Sequence, residues 1–411
     1  MLKSLDKEIY CALKKEEEKQ SSTITLIPSE NTVSREVLKI TGSVLTNKYA
    51  EGYPGKRYYG GCKYVDVIEK TAVERACEIF GAEHANVQPH SGSQANMAVY
   101  YTALKPGDKI LAMHLGAGGH LTHGLSANFS GVFYKPAFYT VDRESELIDY
   151  DNVREIALKE KPDILVCGTS SYSRTLDFKK FADIANEAGC HLFADIAHIA
   201  GLVAAKLHPS PVEHADFVTT TTHKTLRGPR GGMVLCRKKY RSGIDRSIMP
   251  GIQGGPLMHI IAAKAVAFKE ALRPEFADYQ KQILKNCKKL CAAMKSRGYR
   301  VVSGGTDNHL FVLDLRGKGL TGIEAQVLLE KTGIITNKNL LPFDPLSPKI
   351  TSGIRMGTPS ITSRGMKEEE MEIIAGWIDE TLKHKKDKKI LNDISEKIRR
   401  FSLEYPIYPS A

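Results

Sequence analysis

An α/β fold, with a large and mainly parallel sheet followed by a smaller α+β domain, is what this chain of 411 residues predicts. Three observations carry that expectation. Short apolar runs alternate with helical periods through the middle of the chain, the pattern of strands buried on both faces and joined by crossover helices. A hydrophobic content of 42% over this length suffices for a large core split into two domains. Beyond residue 275 the alternation gives way to a long helical period and then to strands and helices of a separate unit.

Leu5, Ile9 and Leu13 recur every four residues among charges, so residues 1–24 read as an amphipathic arm helix with a narrow stripe suited to docking on a neighbouring surface. From 41 to 62 the chain carries Gly42, Gly52, Pro54, Gly55, Gly60 and Gly61 with four tyrosines. A loop that long and that aromatic is an ordered, functional one rather than a linker. Strands are expected at 85–87, 109–113, 164–167, 191–194, 217–222 and 233–236, with helices between them such as 67–80 and 178–188. A helical stretch at 256–272 closes the large domain, 25–275. The tail, 276–411, opens with a long helix to residue 297, then strands near 299–302 and 309–313 and a helix at 322–331. Met371, Ile374, Ile378 and Leu382 mark a last helical face.

Composition excludes several classes of function. No run approaches the roughly 20 apolar residues that span a bilayer, and charges stand where a secretory core would be. The net charge of +11 is dispersed, and its densest patch, 384–389, reads as a solvated connection between helices. Basic patches interleaved with aromatics are absent, which argues against an obligate nucleic-acid partner. The eight cysteines are scattered, with no zinc spacing, so a reduced cytoplasm is the expected compartment.

Ligands bind at strand ends in open α/β sheets, and the strand ends here carry unusual residues. Lys224 follows the 217–222 run and precedes a turn forced by Gly228, Pro229, Gly231 and Gly232. A lysine held there beside Arg227 and Arg230 is disfavoured in its protonated form and suits a Schiff-base nucleophile; a surface lysine in a basic hairpin is the plainer reading. Gly92 and Ser93 open a helix after Val87 and would offer N–H groups and a hydroxyl to a phosphate; an ordinary N-cap serine is the plainer reading of this segment alone. Asp195 leaves a buried strand, which is costly without a cation. The pyridinium nitrogen of pyridoxal phosphate is such a cation, whereas a helix cap would leave the neighbouring His198 unexplained. His120 and His123 could ligate a metal, but no third ligand follows at a suitable spacing, and a flat imidazole stacking on a cofactor ring fits better. In the tail, Arg355 offers the fork that recognises a carboxylate; a structural arginine pairing with a surface acid is the plainer reading.

With these residues in place the chain resembles serine hydroxymethyltransferase, a family of pyridoxal-phosphate enzymes of fold type I, over nearly its whole length. Residues 45–62, 119–124, 220–232 and 353–359 carry the resemblance most specifically. It implies an aspartate aminotransferase-like fold with a seven-stranded, mainly parallel sheet, and the reversible interconversion of serine and glycine. Tetrahydrofolate would accept the one-carbon unit. Lys224 would bind pyridoxal phosphate covalently, Asp195 would pair with its ring nitrogen and His120 would stack on the ring. His198 and Ser170 would lie near its hydroxyl oxygen. Gly92, Ser93 and His223 would serve its phosphate, with Tyr49 and Gly255 reaching it from a second subunit. Ser29 and Arg355 would hold the amino-acid carboxylate. Glu51 and Tyr59, also from the partner chain, would handle protons, Arg230 would keep the lysine and a nearby tyrosine positioned, and Thr221 would count with Lys224 and His223 among the catalytic residues. Leu115, Gly119, Leu121, Asn339, Ser347, Pro348 and Lys349 would border the folate. A homodimer with shared sites follows, with pairing into tetramers left open, and no metal is implied.

Two positions depart from the family pattern. Pro28 stands where alanine is more usual, just before Ser29, and Lys349 replaces an aromatic residue at the pterin pocket, which puts the pterin contacts in doubt. A folate-independent aldolase or acyl-glycine synthase of the same fold is the competing enzyme, but it would need neither the 49–59 loop nor 119–124. An RNA-binding protein that kept only the fold would have the net charge alone in its favour.

Overall fold

Strands that are buried end to end need cover on both faces, and the runs Ile164–Gly168, Phe217–Thr221 and Gly232–Cys236 find it in the middle of a sheet. The computed structural model describes residues 2–408, which divide into two compact units. One is Val33–Lys281; the segments before Val33 and after Lys281 form the other.

The Val33–Lys281 unit is built on a seven-stranded sheet. Its spatial order is His84–Asn86, Gly232–Cys236, Phe217–Thr221, His191–Asp195, Ile164–Gly168, Lys109–Met113 and Lys135–Tyr139. The last five run parallel to one another, and only Gly232–Cys236 opposes its neighbours. Six of the seven coincide with expected strands to within a residue or two. The seventh, Lys135–Tyr139, was not expected. It lies at an edge, where Pro136 costs no interior ladder bond and its half-exposed side chains lack an apolar signature.

Helix Gly92–Ala103 lays Ala95, Ala98, Val99 and Tyr100 on the sheet residues Ile110, Val166, Phe193, Phe217 and Val234. Helix Phe178–Ala188 runs where its sequence period places it. Asp177 caps its start by accepting from Lys180 N–H at 3.0 Å, and Gly189 ends it at a φ of 69°. Helix Met258–Ala271 is buried nearly all round.

The second unit carries a four-stranded antiparallel sheet ordered Arg300–Val301, Leu310–Asp314, Gly353–Gly357, Asn337–Asn339. Helices Gly322–Thr332, Glu368–Lys383 and Lys388–Glu404 close its core. Residues 384–387 connect the last two helices, and Asp387 caps the second of them. The unit boundaries differ from the expected 25 and 276, because Ile24–Thr25 pairs in parallel with Ile334–Ile335 and draws residues 25–32 into this unit. The arm helix Lys7–Ser22 has no buried residue, and Leu5 is 85% exposed. Its last turn is held by Arg364, whose guanidinium donates to the carbonyls of Ser21 at 2.9 Å and Thr23 at 2.6 Å. The same group reaches the Ser402 and Tyr405 carbonyls at 2.5 and 2.7 Å, so one cation caps the C-terminal ends of two helices.

Candidate active site

Strand Phe217–Thr221 delivers the chain into a turn that holds Lys224, which is only 9% exposed. The turn has little freedom. Thr222 N–H donates to the Gly231 carbonyl at 3.1 Å, and Gly228 N–H donates to the Thr222 carbonyl at 2.7 Å. The Thr225 hydroxyl donates to the His198 carbonyl at 2.8 Å and accepts from Gly201 N–H at 2.9 Å. That approach requires glycine at 201, since a β-carbon there would collide with the Thr225 carbonyl. His198 is buried, so its main chain helps to anchor the lysine turn.

Asp195 ends its strand as a buried carboxylate surrounded by donors. Its Oδ1 accepts from Ala197 N–H at 3.0 Å, and its Oδ2 accepts from Asn96 Nδ2 at 2.9 Å and His123 Nε2 at 3.1 Å. His123 Nδ1 accepts from His120 N–H at 3.2 Å, which puts the ring proton on Nε2, facing Asp195. Asn96 is itself fixed by the Thr219 hydroxyl at 2.6 Å, and it also donates to Thr122. Burial alone would push the Asp195 carboxyl up. The hydrogen bond donated by His123, with Asn96 adding to it, holds it well below the usual carboxylate range. Neighbouring strand Ile164–Gly168 comes close enough that a β-carbon at Gly168 would meet the Asp195 carbonyl.

No third ligand follows His120 and His123 in the sequence at a suitable spacing, but the fold brings Asp195 to them from another strand, with ligand atoms within 4.8 Å of one another. His123 nevertheless spends its Nε2 proton on that carboxylate, so it has no lone pair to offer there. His120 is half-buried, with Nδ1 2.7 Å from the Thr122 hydroxyl. The loop before it needs Gly119, where a β-carbon would collide with the Met113 carbonyl. Gly118 accepts from Ser170 N–H at 2.7 Å, which ties Ser170 to the same loop. Leu115 is half-buried and Leu121 exposed on this loop.

Helix Gly92–Ala103 starts as expected, with Ser91 rather than Ser93 as its cap; Ser91 Oγ accepts from Gln94 N–H at 3.2 Å. Gly92 and Ser93 therefore occupy the first two helical positions, where main-chain N–H groups have no intrahelical partner. A β-carbon at Gly92 would sit 2.7 Å from the Thr221 methyl. The Thr221 hydroxyl donates to the Ala197 carbonyl at 3.3 Å, so the helix start, the lysine strand and the Asp195 turn touch in series. Burial, reinforced by the charges of Lys224 and Arg230, pushes His223 down to about 3. It is neutral at physiological pH, and Gly231 N–H pointing at Nδ1 leaves its proton on Nε2.

A further group is built in the 49–59 loop. The Tyr49 hydroxyl donates to Glu51 Oε1 at 3.0 Å, which pushes that hydroxyl's pKa up, and the Tyr49 and Tyr59 rings meet edge-on at 4.9 Å. Gly255 lies against Tyr49, where a β-carbon would be 2.8 Å from the ring. Tyr49 and Tyr59 are about half exposed. Arg57, which sequence reasoning passed over, shapes this loop. It bonds Asp66 at 2.8 Å and Glu69 at 2.6 Å and donates to the Ala50 and Gly52 carbonyls, both at 2.8 Å. Its side chain is 4% exposed and that of Glu69 2%. Arg57→Met is expected to cost about 3–5 kcal/mol, because it leaves a buried carboxylate without its cation. Urea unfolding measures this, and a loss below about 1 kcal/mol would show that the pair contributes little.

In the other unit, Arg355 lies on strand Gly353–Gly357, its Nε 3.3 Å from Asn337 Oδ1. Burial pushes its guanidinium down to about 10. Pro28 packs on Gly357, where a β-carbon would come within 2.7 Å of the proline, and Gly357 N–H donates to the Leu26 carbonyl at 2.8 Å. This brings the half-buried Ser29 beside the arginine strand. Asn339 pairs with Gly353. Ser347, Pro348 and Lys349 are exposed, in a loop organised by Asp344, which accepts from Leu341, Leu346 and Ser352.

A family model for Serine hydroxymethyltransferase matches residues 2–378. The chain belongs to the serine hydroxymethyltransferase family. It is accordingly a pyridoxal-phosphate enzyme of fold type I that interconverts serine and glycine and transfers the one-carbon unit to tetrahydrofolate. The seven-stranded sheet agrees with that fold. The residues present fit the cofactor's chemistry. A buried lysine is held on a rigid turn, and an ionised carboxylate can meet a protonated ring nitrogen. Unpartnered helix-start N–H groups with a neutral His223 donor can meet a phosphate. In this serine hydroxymethyltransferase the residues missed from sequence include Asn96, Thr219 and Arg57, and His123 was given no role beside Asp195. Polar side chains inside otherwise apolar elements were the only local signal of the first two.

Proposed function

We propose that Lys224 carries the covalent attachment of pyridoxal phosphate and Asp195 keeps its ring nitrogen protonated. When bound, that cofactor supplies the electron sink that lets bonds to the substrate Cα break. Gly92, Ser93 and His223 donate to its phosphate, His120 lies on its ring, and Ser170 and His198 border its hydroxyl. Thr221 and Arg230 position the lysine turn. Ser29 and Arg355 hold the substrate carboxylate, and Glu51 and Tyr59 move protons at the hydroxymethyl group. Leu115, Gly119, Leu121, Asn339 and residues 347–349 border the folate. What supports this reading above all is Asp195, a buried carboxylate that three donors keep ionised beside the turn of a buried lysine. Borohydride reduction of the loaded protein followed by peptide mapping should place the label on Lys224; a label on any other residue overturns the assignment.

Tyr49, Glu51, Tyr59 and Gly255 form their own cluster, with both tyrosines about half exposed. That exposure supports the further reading that they complete the site of a second copy in a homodimer. Mixing Lys224→Ala with Glu51→Ala chains should then restore about a quarter of wild-type activity, since half of randomly formed dimers are hybrids with one intact site. No recovery after confirmed subunit exchange would mean that each site is built within one chain. No helix among the described residues is long and apolar enough to cross a membrane. All eight cysteines are free, which supports a reducing, cytoplasmic setting.

A further inference from the structure

Helix Met258–Ala271 carries a lysine that the assigned chemistry does not use. Lys264 is 1% exposed, and its ammonium donates to three main-chain carbonyls: Val87 at 2.7 Å, Pro89 at 3.0 Å and Gly232 at 2.7 Å. Val87 and Pro89 lead into the helix that starts at Gly92, while Gly232 closes the turn that holds Lys224. The two segments also meet directly, through Gly232 N–H donating to the Pro89 carbonyl at 3.1 Å. Contact is tight on every side. A β-carbon at Gly231 would lie 2.6 Å from Lys264 Cε, and one at Gly232 would collide with the Ser91 carbonyl. A buried cation normally faces a carboxylate. Here the bonded partners are carbonyls, and Glu69, engaged with Arg57 and Gln88, acts on Lys264 only from farther off.

The charge is felt at the same place. Burial, and then Lys264, push His90 down, and Lys264 adds to the depression of His223. His90 Nε2 is buried without a partner. Burial pushes Lys264 itself down to about 7, but its three carbonyl acceptors take all three protons of an ammonium and so favour the charged form. A cation in a dry setting acts on a nearby anion far more strongly than one in water. We propose that Lys264 is a positioning residue that clamps the helix-start loop to the lysine turn and supplies the buried positive charge by which the site selects a dianionic phosphate group. The proposal rests on the reading of Gly92 and Ser93 as the phosphate cradle.

Equilibrium binding of pyridoxal phosphate and of pyridoxal to the cofactor-free protein, followed by absorbance, tests it. Lys264→Met keeps the bulk and removes the charge. The phosphorylated ligand should bind at least about tenfold more weakly, the unphosphorylated one nearly unchanged, and inorganic phosphate should compete less well. Equal weakening of both ligands, or of neither, overturns the role of Lys264. Failure of the wild-type protein to prefer the phosphorylated ligand would overturn the cradle itself, so the two failures are distinguishable. Should Lys264→Met not fold, Gly231→Ala carries the test by pushing a methyl against Lys264 Cε. It should show the same phosphate-selective loss, and an equal loss for both ligands overturns the proposal.

Discussion

Lys224→Ala is expected to lower serine–glycine turnover by about 10^4-fold or more, the scale on which loss of a covalent nucleophile costs. The expectation is specific because other residues also hold the Lys224 turn together. Thr222, Thr225, Gly228 and Gly231 do that through main-chain and hydroxyl bonds that survive the truncation. Thermal unfolding should therefore be little changed. Lys224→Arg separates charge from nucleophilicity. Its guanidinium stays protonated at any pH a protein survives and cannot attack, so it should be as inactive as alanine. Substantial turnover in the arginine variant would mean that the site needs only a cation at this position.

The large sheet was legible because strands covered on both faces show uninterrupted apolar or β-branched runs, as Ile164–Gly168 and Phe217–Thr221 do. Lys135–Tyr139 was not, since an edge strand half open to solvent and opened by Lys-Pro carries no such mark. The pairing of Ile24–Thr25 with Ile334–Ile335 joins segments far apart in the chain, and neither has a local feature that names its partner. For that reason the domain boundaries moved, although the elements themselves did not.

At the site, Lys224, Asp195, Gly92 and Ser93 stood out because their residue types are unusual at strand ends. The network around Asp195 did not, because tertiary register creates it. Asp195 pairs with Thr219 across two parallel strands, and Thr219 then reaches Asn96 on a helix. No spacing in the sequence carries that chain. His123 was visible as a residue but its role was not, since the carboxylate that decides it is supplied by a different strand. Arg57 was hidden in the same way, with partners on helix Lys63–Phe80.

Asp195→Asn should be the most damaging isosteric change in the protein. Every partner of this carboxylate is a donor: Ala197 N–H on one oxygen, Asn96 Nδ2 and His123 Nε2 on the other. An amide placed there must aim its own NH2 at a donor whichever way it flips. His123 cannot relieve the conflict by moving its proton to Nδ1 without losing the His120 N–H bond. The variant should lose about 1–3 kcal/mol of stability, the cost of an unsatisfied buried polar group. Turnover should fall by about 10^2- to 10^4-fold, as when a charged partner of the reacting system is removed. The pH dependence identifies the cause. The folded pKa lies below the free value of 3.8, so the carboxylate's contribution is complete above that value and is lost as pH falls through the folded pKa. The stability gap between wild type and Asp195→Asn should thus stay constant from neutral pH down to about 4 and narrow below it. A gap that stays constant into stronger acid would mean that shape, and not the charge of Asp195, makes the difference.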